Sequence, residues 1–331
     1  MQPTAPALSE LSVVILSYGP RLHLLSQVVE RVLGEGVGHV VIVFNGNFAD
    51  GIWTADSRIT LVPLAENLGS AAGYAVGMER ARQGERRLML LLDDDNLPDA
   101  GCIARLLATH ELLGGGDALC LQAYRPQLEW HRLLLSTGIE ALARPNTFAW
   151  FHVANERYLL GKQLGGKTAA AGMRFPLART RVACYGGLLL PSAALDRVAP
   201  PYARYFCYYD DIEFTSRISA AGIPIYLCAY AAISDIESSW HIDAERHHPA
   251  FSARTPERRI YLDIRNGTHF NHGRVTHRGV YLLNALLFFL GALVLALFRS
   301  PAIHLSLSRL RLICRAVHAG LTNRLGPNDP A

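Results

Sequence analysis

"LMLLLDDDNLPDAG", residues 88–101, places three consecutive carboxylates, Asp93, Asp94 and Asp95, at the end of an apolar run of strand length. Adjacent like charges at the mouth of a buried strand repel one another and resist desolvation, so a cation or a cationic partner has to meet them. The same rhythm surrounds this stretch. "LSVVILSYG" (11–19) is an apolar run ending in a loop, "RLHLLSQVVERVLG" (21–34) has helical spacing with a glycine stop, and "HVVIVFNG" (39–46) is a second strand. "RITLVPLAEN" (58–67) supplies a third strand, "LGSAAGYAVGMERARQG" (68–84) a helix that opens on small residues, and "RRLMLLLDDD" (86–95) a fourth strand. Continuous apolar strands alternating with helices predict an α/β fold, its mainly parallel sheet covered on both faces.

Ligands of such sheets sit beyond the carboxyl ends of the strands. The residues at those ends are Ser17 and Tyr18, Asn45, Asn67 to Gly69, and Asp93 to Asp95. Alternate side chains leaving a strand point the same way, so Asp93 and Asp95 can converge on a magnesium or manganese ion while Asp94 faces elsewhere. A solvated turn capping the helix near Pro98 is the plainer alternative. Three adjacent carboxylates exceed what capping needs.

Further on, "VACYGGLLLPSAALDRV" (182–198) reads as strand, turn and helix, and "YYDDIEFTSRISAAGIPIYLC" (208–228) as loop, helix and strand. Residues 120–180 are less regular, a hairpin insertion or a flexible loop. Asp210 and Asp211 open the second helix; the dipole accounts for one of them, and a raised proton affinity would make the other an acceptor for a hydroxyl proton. The aromatics before them suit either a sugar platform or ordinary core. In "SSWHIDAER" (238–246), His241 follows Trp240 after a strand, and an Asp, Asp and His set suits manganese.

Taken in order, "VVILSYGP", "ENLGSAAGYAVGM", "LLLDDD", "CYGGLLLPSAAL", "YYDDIEFTSRISAAG", the "WH" pair and "RRIYLDIRN" resemble the family 2 glycosyltransferases of the GT-A fold. The pattern is similar to their galactofuranosyl- and rhamnosyltransferase-like branch, and it covers roughly residues 11–270. The resemblance implies transfer of a sugar, with inversion, from a nucleotide-diphosphate donor to a glycan or lipid-linked acceptor in cell-surface polysaccharide synthesis, assisted by Mn2+ or Mg2+. It assigns Asp93, Asp95 and His241 to the metal, and the base to Asp211 in preference to Asp210. The nucleotide sugar falls on Ser17, Tyr18, Asn45, Asn67, Gly69, Asp93 and Asp94, and the acceptor or sugar on Gly186, Gly187, Tyr209 and Trp240. Many relatives carry an Asp after the second strand where this chain has Phe44-Asn45-Gly46. An amide still hydrogen-bonds a base.

Competing enzymes fit less well. A two-carboxylate hydrolase has no use for a metal beside a phosphate leaving group. A sugar-phosphate nucleotidyltransferase needs basic residues near the first strand, where only Arg21 stands. A scaffold that binds nucleotide sugar without turnover is the non-enzyme alternative.

Composition places the rest. Of 331 residues half are hydrophobic and 18% charged, which points to a membrane surface or an apolar partner. "GVYLLNALLFFLGALVLALF" (279–298) has the length of one spanning helix, and the tail beyond it carries Arg299, Arg309, Arg311, Arg315 and Arg324 with no acid between them. Spanning would oppose the positive-inside tendency, so a helix or re-entrant pair embedded from the cytoplasmic side is favoured, with a single span or a buried dimer helix as alternatives. The expected organisation is a tail (1–10), a GT-A domain (11–270, with nucleotide and acceptor halves meeting near 120) and a membrane-associated region (271–331). Six scattered cysteines without a C-x-x-C pair and an N-terminus lacking a secretory pattern fit a reducing compartment, hence the cytoplasmic face of the cell membrane. Basic residues beside an apolar tail rather than among aromatics argue against nucleic acid; a homo-oligomer stays open.

Overall fold

The computed structural model describes residues 8–46, 56–84, 86–117, 119–155, 173–237, 255–298 and 303–327. The chain divides into two compact units. The first comprises residues 1–140, 172–206 and 210–237, and the second 141–171, 207–209 and 238–331.

In the first unit, strands β1 (Leu11–Ser17), β2 (His39–Asn45), β3 (Ile59–Leu64) and β4 (Leu88–Asp93) lie in the order β3-β2-β1-β4, and every neighbouring pair is parallel. The parallel half-sheet is therefore the one the sequence implies. Beyond β4 the sheet turns mixed: β8 (Leu188–Pro191) is antiparallel to β4 and to β6 (Cys120–Tyr124). Next, β6 runs parallel to β9 (Ile225–Asp235), which also pairs antiparallel with β5 (Asn96–Pro98) and β7 (Leu177–Thr180).

Helices cover both faces because every residue of β1 is buried and successive side chains point to opposite sides. On one face Leu11, Val13 and Ile15 pack with helix α1 (Leu22–Gly34) and helix α3 (Cys102–Leu112). On the other, Val14 and Leu16 pack against helix α2 (Gly69–Arg82). The small residues of α2 have a steric cause: a Cβ on Gly73 would stand 2.5 Å from Leu16, and one on Gly77 2.5 Å from Val14. Without those methyl groups the helix settles onto the sheet. Helix α4 (Glu129–Thr137) and the short helix α5 (Ala194–Arg197) follow, and helix α6 (Asp210–Ala220) adds Phe214 and Ile218 to the α2 face.

The second unit has its own apolar core. Helices α7 (Glu257–His272), α8 (Arg278–Phe298) and α9 (Ile303–Leu321) contribute Ile260, Ile264, Phe288, Leu312 and Val317, among others. A Cβ on Gly320 would stand 2.4 Å from the Arg265 carbonyl, so α9 lies directly on α7. Residues 279–298 thus belong to one continuous helix, the one helix among the described residues long and apolar enough to cross a membrane.

Candidate active site

The site grows from the strand ends. Register pairs Leu16 with Asp93, so Ser17 at the end of β1 stands beside Asp94, and the Ser17 hydroxyl donates to Asp94 Oδ2 at 2.8 Å. In the order β3-β2-β1-β4 the chain reverses direction across the sheet between β1 and β4, the switch point at which open α/β sheets bind ligands.

The three aspartates have different surroundings. Asp94 is buried, and Arg21 reaches it at 3.2 Å and Asp95 at 2.8 Å. The same guanidinium contacts Glu237 at 2.6 Å and lies over the Tyr18 ring, 5.1 Å from its centroid. Arg21 is therefore the cation that meets Asp94 and Asp95, while Arg125 acts on Asp93. Burial still pushes Asp94 up to about 7, with Arg21 and Ser17 opposing the shift. Asp93 accepts the Tyr74 hydroxyl at Oδ1, 2.7 Å away, and its Oδ2 has no hydrogen-bond partner among the described residues. Burial and the Asp95 charge raise its proton affinity.

Asn96 organises the turn. Its Oδ1 accepts the Asp93 backbone N–H at 3.1 Å, and its Nδ2 donates to Asp95 at 3.1 Å and to Asp235 at 3.0 Å. Asp235 in turn binds the Arg125 guanidinium at 2.6 Å. Gly186 lies beneath this network, where a Cβ would fall 2.0 Å from Asn96 Oδ1 and 2.8 Å from Arg125. Gly187, with φ +90°, would press on Ala123 and Ile233 in the same way. Gly186, expected with Gly187 at an acceptor surface, makes room for the carboxylate turn, and Gly187 for β6 and β9.

The loop before α2 is held by its own amides. Asn45 Oδ1 accepts the Leu68 N–H at 2.8 Å, its Nδ2 donates to the Gly69 carbonyl at 3.0 Å, and Asn67 Oδ1 accepts the Gly69 N–H at 2.9 Å. Asn45 thus spends its amide on shaping the loop. Gly69 has φ +83° and a Cβ there would stand 2.1 Å from the Phe206 carbonyl oxygen, so no side chain fits.

One turn of α2 joins the two acidic groups. Ser70 donates to Asp210 Oδ2 at 2.8 Å, and Tyr74, four residues on, donates to Asp93. The Tyr74 ring lies 4.2 Å from that of Tyr185, whose hydroxyl faces Asp210. Asp210 is buried, and burial together with the Asp211 charge raises its proton affinity. Asp211 is partly exposed. Its Oδ1 accepts the Ile212 N–H at 2.8 Å, and its Oδ2 has no hydrogen-bond partner among the described residues. Burial and the Asp93 charge raise its proton affinity, while the Ile212 N–H and Arg125 oppose the rise. The helix start is anchored through Thr215, which accepts the Ala183 N–H at 2.9 Å. Phe206, with φ 65°, is held in a left-handed conformation costly for a non-glycine residue.

Ser17, Asn45, Asn67, Gly69, Asp93 to Asp95, Gly186, Gly187, Asp210 and Asp211 all belong to the first unit. Tyr18 is there too, 46% exposed. Tyr209 belongs to the second unit, where its ring packs 5.9 Å from that of Phe270 and against Gly267. Trp240 and His241 lie outside the described residues. Sequence reasoning passed over Tyr74, Asn96, Arg125 and Asp235 and gave Arg21 no part in this site. Arg125 follows β6 and Asp235 closes β9, so the strand-end rule that found Asp93 also reaches them.

Among the described residues no group of three or more His, Cys, Asp and Glu side chains is arranged to hold a metal ion. A hard divalent cation would find an oxygen to spare on Asp93, while both oxygens of the neighbouring Asp95 are engaged, Oδ2 by Arg21 and Oδ1 by Asn96.

No protein-family model matches the chain, and no curated protein matches its sequence. Among solved structures it is similar to GalNAc-T7 crystallised with UDP, GalNAc and Mn2+, at a TM-score of 0.48 and 11% identity over 76% of this chain and 48% of that one. It is similar to TarS from S. aureus at a TM-score of 0.46 and 12% identity, covering 93% and 55% of the two chains. For TarS residues 1–349 the TM-score is 0.44 and the identity 11%, over 95% of this chain and 91% of that one. The chain spans about half the length of the first two.

Proposed function

We propose that the chain is a GT-A-fold glycosyltransferase that moves a sugar with inversion from a nucleotide-diphosphate donor to a glycan or lipid-linked acceptor. The observation that carries this reading is the α2 turn whose Ser70 and Tyr74 hydroxyls hold Asp210 and Asp93 within one site. Inverting transfer needs two functions close together: a place for the departing diphosphate and a base for the incoming hydroxyl. The order of the sequence motifs supports the same reading.

The roles follow from the surroundings. Asp211, partly exposed and with Oδ2 available, takes the acceptor proton. Asp210, buried and bonded to Ser70, positions the start of α6 beside α2. The loop shaped by Asn45 and Asn67, with Ser17 and Tyr18, receives the nucleotide. Asp93 and Asp95, with His241, would hold Mn2+ or Mg2+, which when bound neutralises phosphate charge. Gly186 contributes by leaving space for the turn, and Gly187 for β6 and β9. The galactofuranosyl- or rhamnosyl-like branch, the role in cell-surface polysaccharide synthesis and the work at the cytoplasmic face of the membrane belong to this proposal, supported by motif order and by the apolar helix α8.

A nucleotidyltransferase would need Arg21 for a triphosphate, but Arg21 is already engaged by Asp94, Asp95 and Glu237. The test is a screen of nucleotide sugars with Mn2+ or Mg2+, reading nucleoside diphosphate release and glycosylated product. Diphosphate release that is lost in Asp93→Ala and Asp211→Asn supports the reading. Pyrophosphate release from a nucleoside triphosphate and a sugar phosphate overturns it.

A further inference from the structure

The second unit carries an apolar surface that its own core does not use. Helix α8 turns Tyr281, Asn284, Phe288, Ala292 and Ala296 inward. Asn284 clamps that face, its Nδ2 donating to the Asn146 carbonyl at 2.9 Å and its Oδ1 accepting the Val153 N–H at 3.0 Å. The outward face leaves Leu282, Leu286 and Leu297 about two-thirds exposed, at 65%, 65% and 66%, with Leu290 and Leu293 between them. A soluble surface rarely carries so continuous an apolar stripe without a partner.

Helix α9 extends the stripe and changes its chemistry. The Ser306 hydroxyl donates to the Ala296 carbonyl at 2.8 Å, which sets exposed Leu307 beside the end of α8. From Leu307 the exposed positions continue one and two turns on to Arg311 and Arg315. From Arg278 to Pro327 the sequence holds six arginines and no Asp or Glu, so the segment's own charge is positive, with Arg309 met by Glu257 of α7 at 3.5 Å.

We propose that this face lies flat on an anionic lipid bilayer, with the α8 leucines entering the acyl boundary and Arg311 and Arg315 meeting headgroup phosphates. The partner is a lipid surface rather than a second copy, because an isologous contact of this face would offer Arg311 no acidic residue of the same segment to meet. It is an in-plane contact rather than a span, because the inward face of α8 is already fixed by the Asn284 hydrogen bonds and the apolar core. The inference deepens the membrane part of the function proposed above and does not depend on its chemistry.

Vesicle flotation of the full chain tests it, with phosphatidylcholine vesicles made with and without phosphatidylglycerol. The chain is expected to float with the anionic vesicles and to lose that binding at high salt. The pair Leu286→Glu and Leu290→Glu, both on the exposed face, should lower vesicle affinity about tenfold or more with an unchanged melting temperature. Arg311→Glu should remove the preference for phosphatidylglycerol. Absence of flotation, a lipid-free dimer that the leucine variants dissociate, or a tail labelled only from the far side of sealed vesicles would each overturn the proposal. Nucleotide-sugar binding by the same preparations separates the readings: lost flotation with binding intact counts against the bilayer contact alone.

Discussion

Tyr74 donates its hydroxyl to Asp93 across 2.7 Å, from a ring tilted 38° against Tyr185. The bond is the only one made by the Asp93 carboxylate among the described residues, and it lowers a proton affinity that burial and Asp95 raise. Replacing Tyr74 by Phe keeps the ring contact and removes the donor. A hydrogen bond to a charged group contributes about 1.5–3 kcal/mol, so donor affinity in the presence of Mn2+ should fall roughly tenfold or more. Calorimetric titration at neutral pH with the nucleotide sugar that the screen selects checks this; unchanged affinity would separate Asp93 from the donor site.

The two aspartates opening α6 should differ in kind. Asp211→Asn should reduce turnover about a hundredfold or more while leaving donor binding within twofold, since only the proton acceptor is lost. Its raised proton affinity sets the pH response. The base works when deprotonated, so activity falls as pH drops through its folded-state pKa, and the acidic limb lies above the ordinary carboxylate range. A limb at or below that range would point to another base.

Arg21 is the internal counterion of the turn, and its loss leaves Asp94 buried and unpaired. Breaking such a pair costs about 3 kcal/mol or more. Urea denaturation of Arg21→Gln should show this loss at pH 8. The sign with pH is fixed: Asp94 already has a raised folded pKa, and removing Arg21 raises it further. The unfolded carboxyl ionises before the folded one in both proteins, so the variant's extra penalty is small below the wild-type folded value of about 7 and grows as pH rises through it. A pH-independent loss would mean that Arg21 acts by packing over Tyr18 instead.

What the sequence made legible was whatever depends on local periodicity. Continuous apolar runs announced β1, β2 and β4, and the strand-end rule led from them to Ser17, Asn45 and the aspartates. Partners distant in the chain were not legible. Asp94, left without a firm role by strand alternation, is the most buried of the three because it meets Ser17, 77 residues away, and Arg21. The antiparallel entry of β8 beside β4 likewise escaped periodicity, since an apolar run does not reveal its direction. That entry decides where Gly186 lies. In three dimensions Gly186 also lies under the carboxylate turn, a contact that its place in the sequence does not reveal.

Gly186 therefore gives a test of the turn that touches no ligand. A methyl group there would fall 2.0 Å from Asn96 Oδ1 and 2.8 Å from Arg125, closer than real contacts allow. Asn96 must move, and with it the hydrogen bonds to the Asp93 N–H, Asp95 and Asp235. Gly186→Ala should lower the melting temperature and cost about 1–3 kcal/mol, as overpacked cores do. It should also weaken Mn2+-dependent donor binding, because positions displaced by an ångström lose their cooperative geometry. Pairing it with Asn96→Ala, which empties the space the methyl needs, should restore stability in part but not donor binding. Full recovery of binding in the double variant would show that Asn96 has no part in positioning the carboxylates.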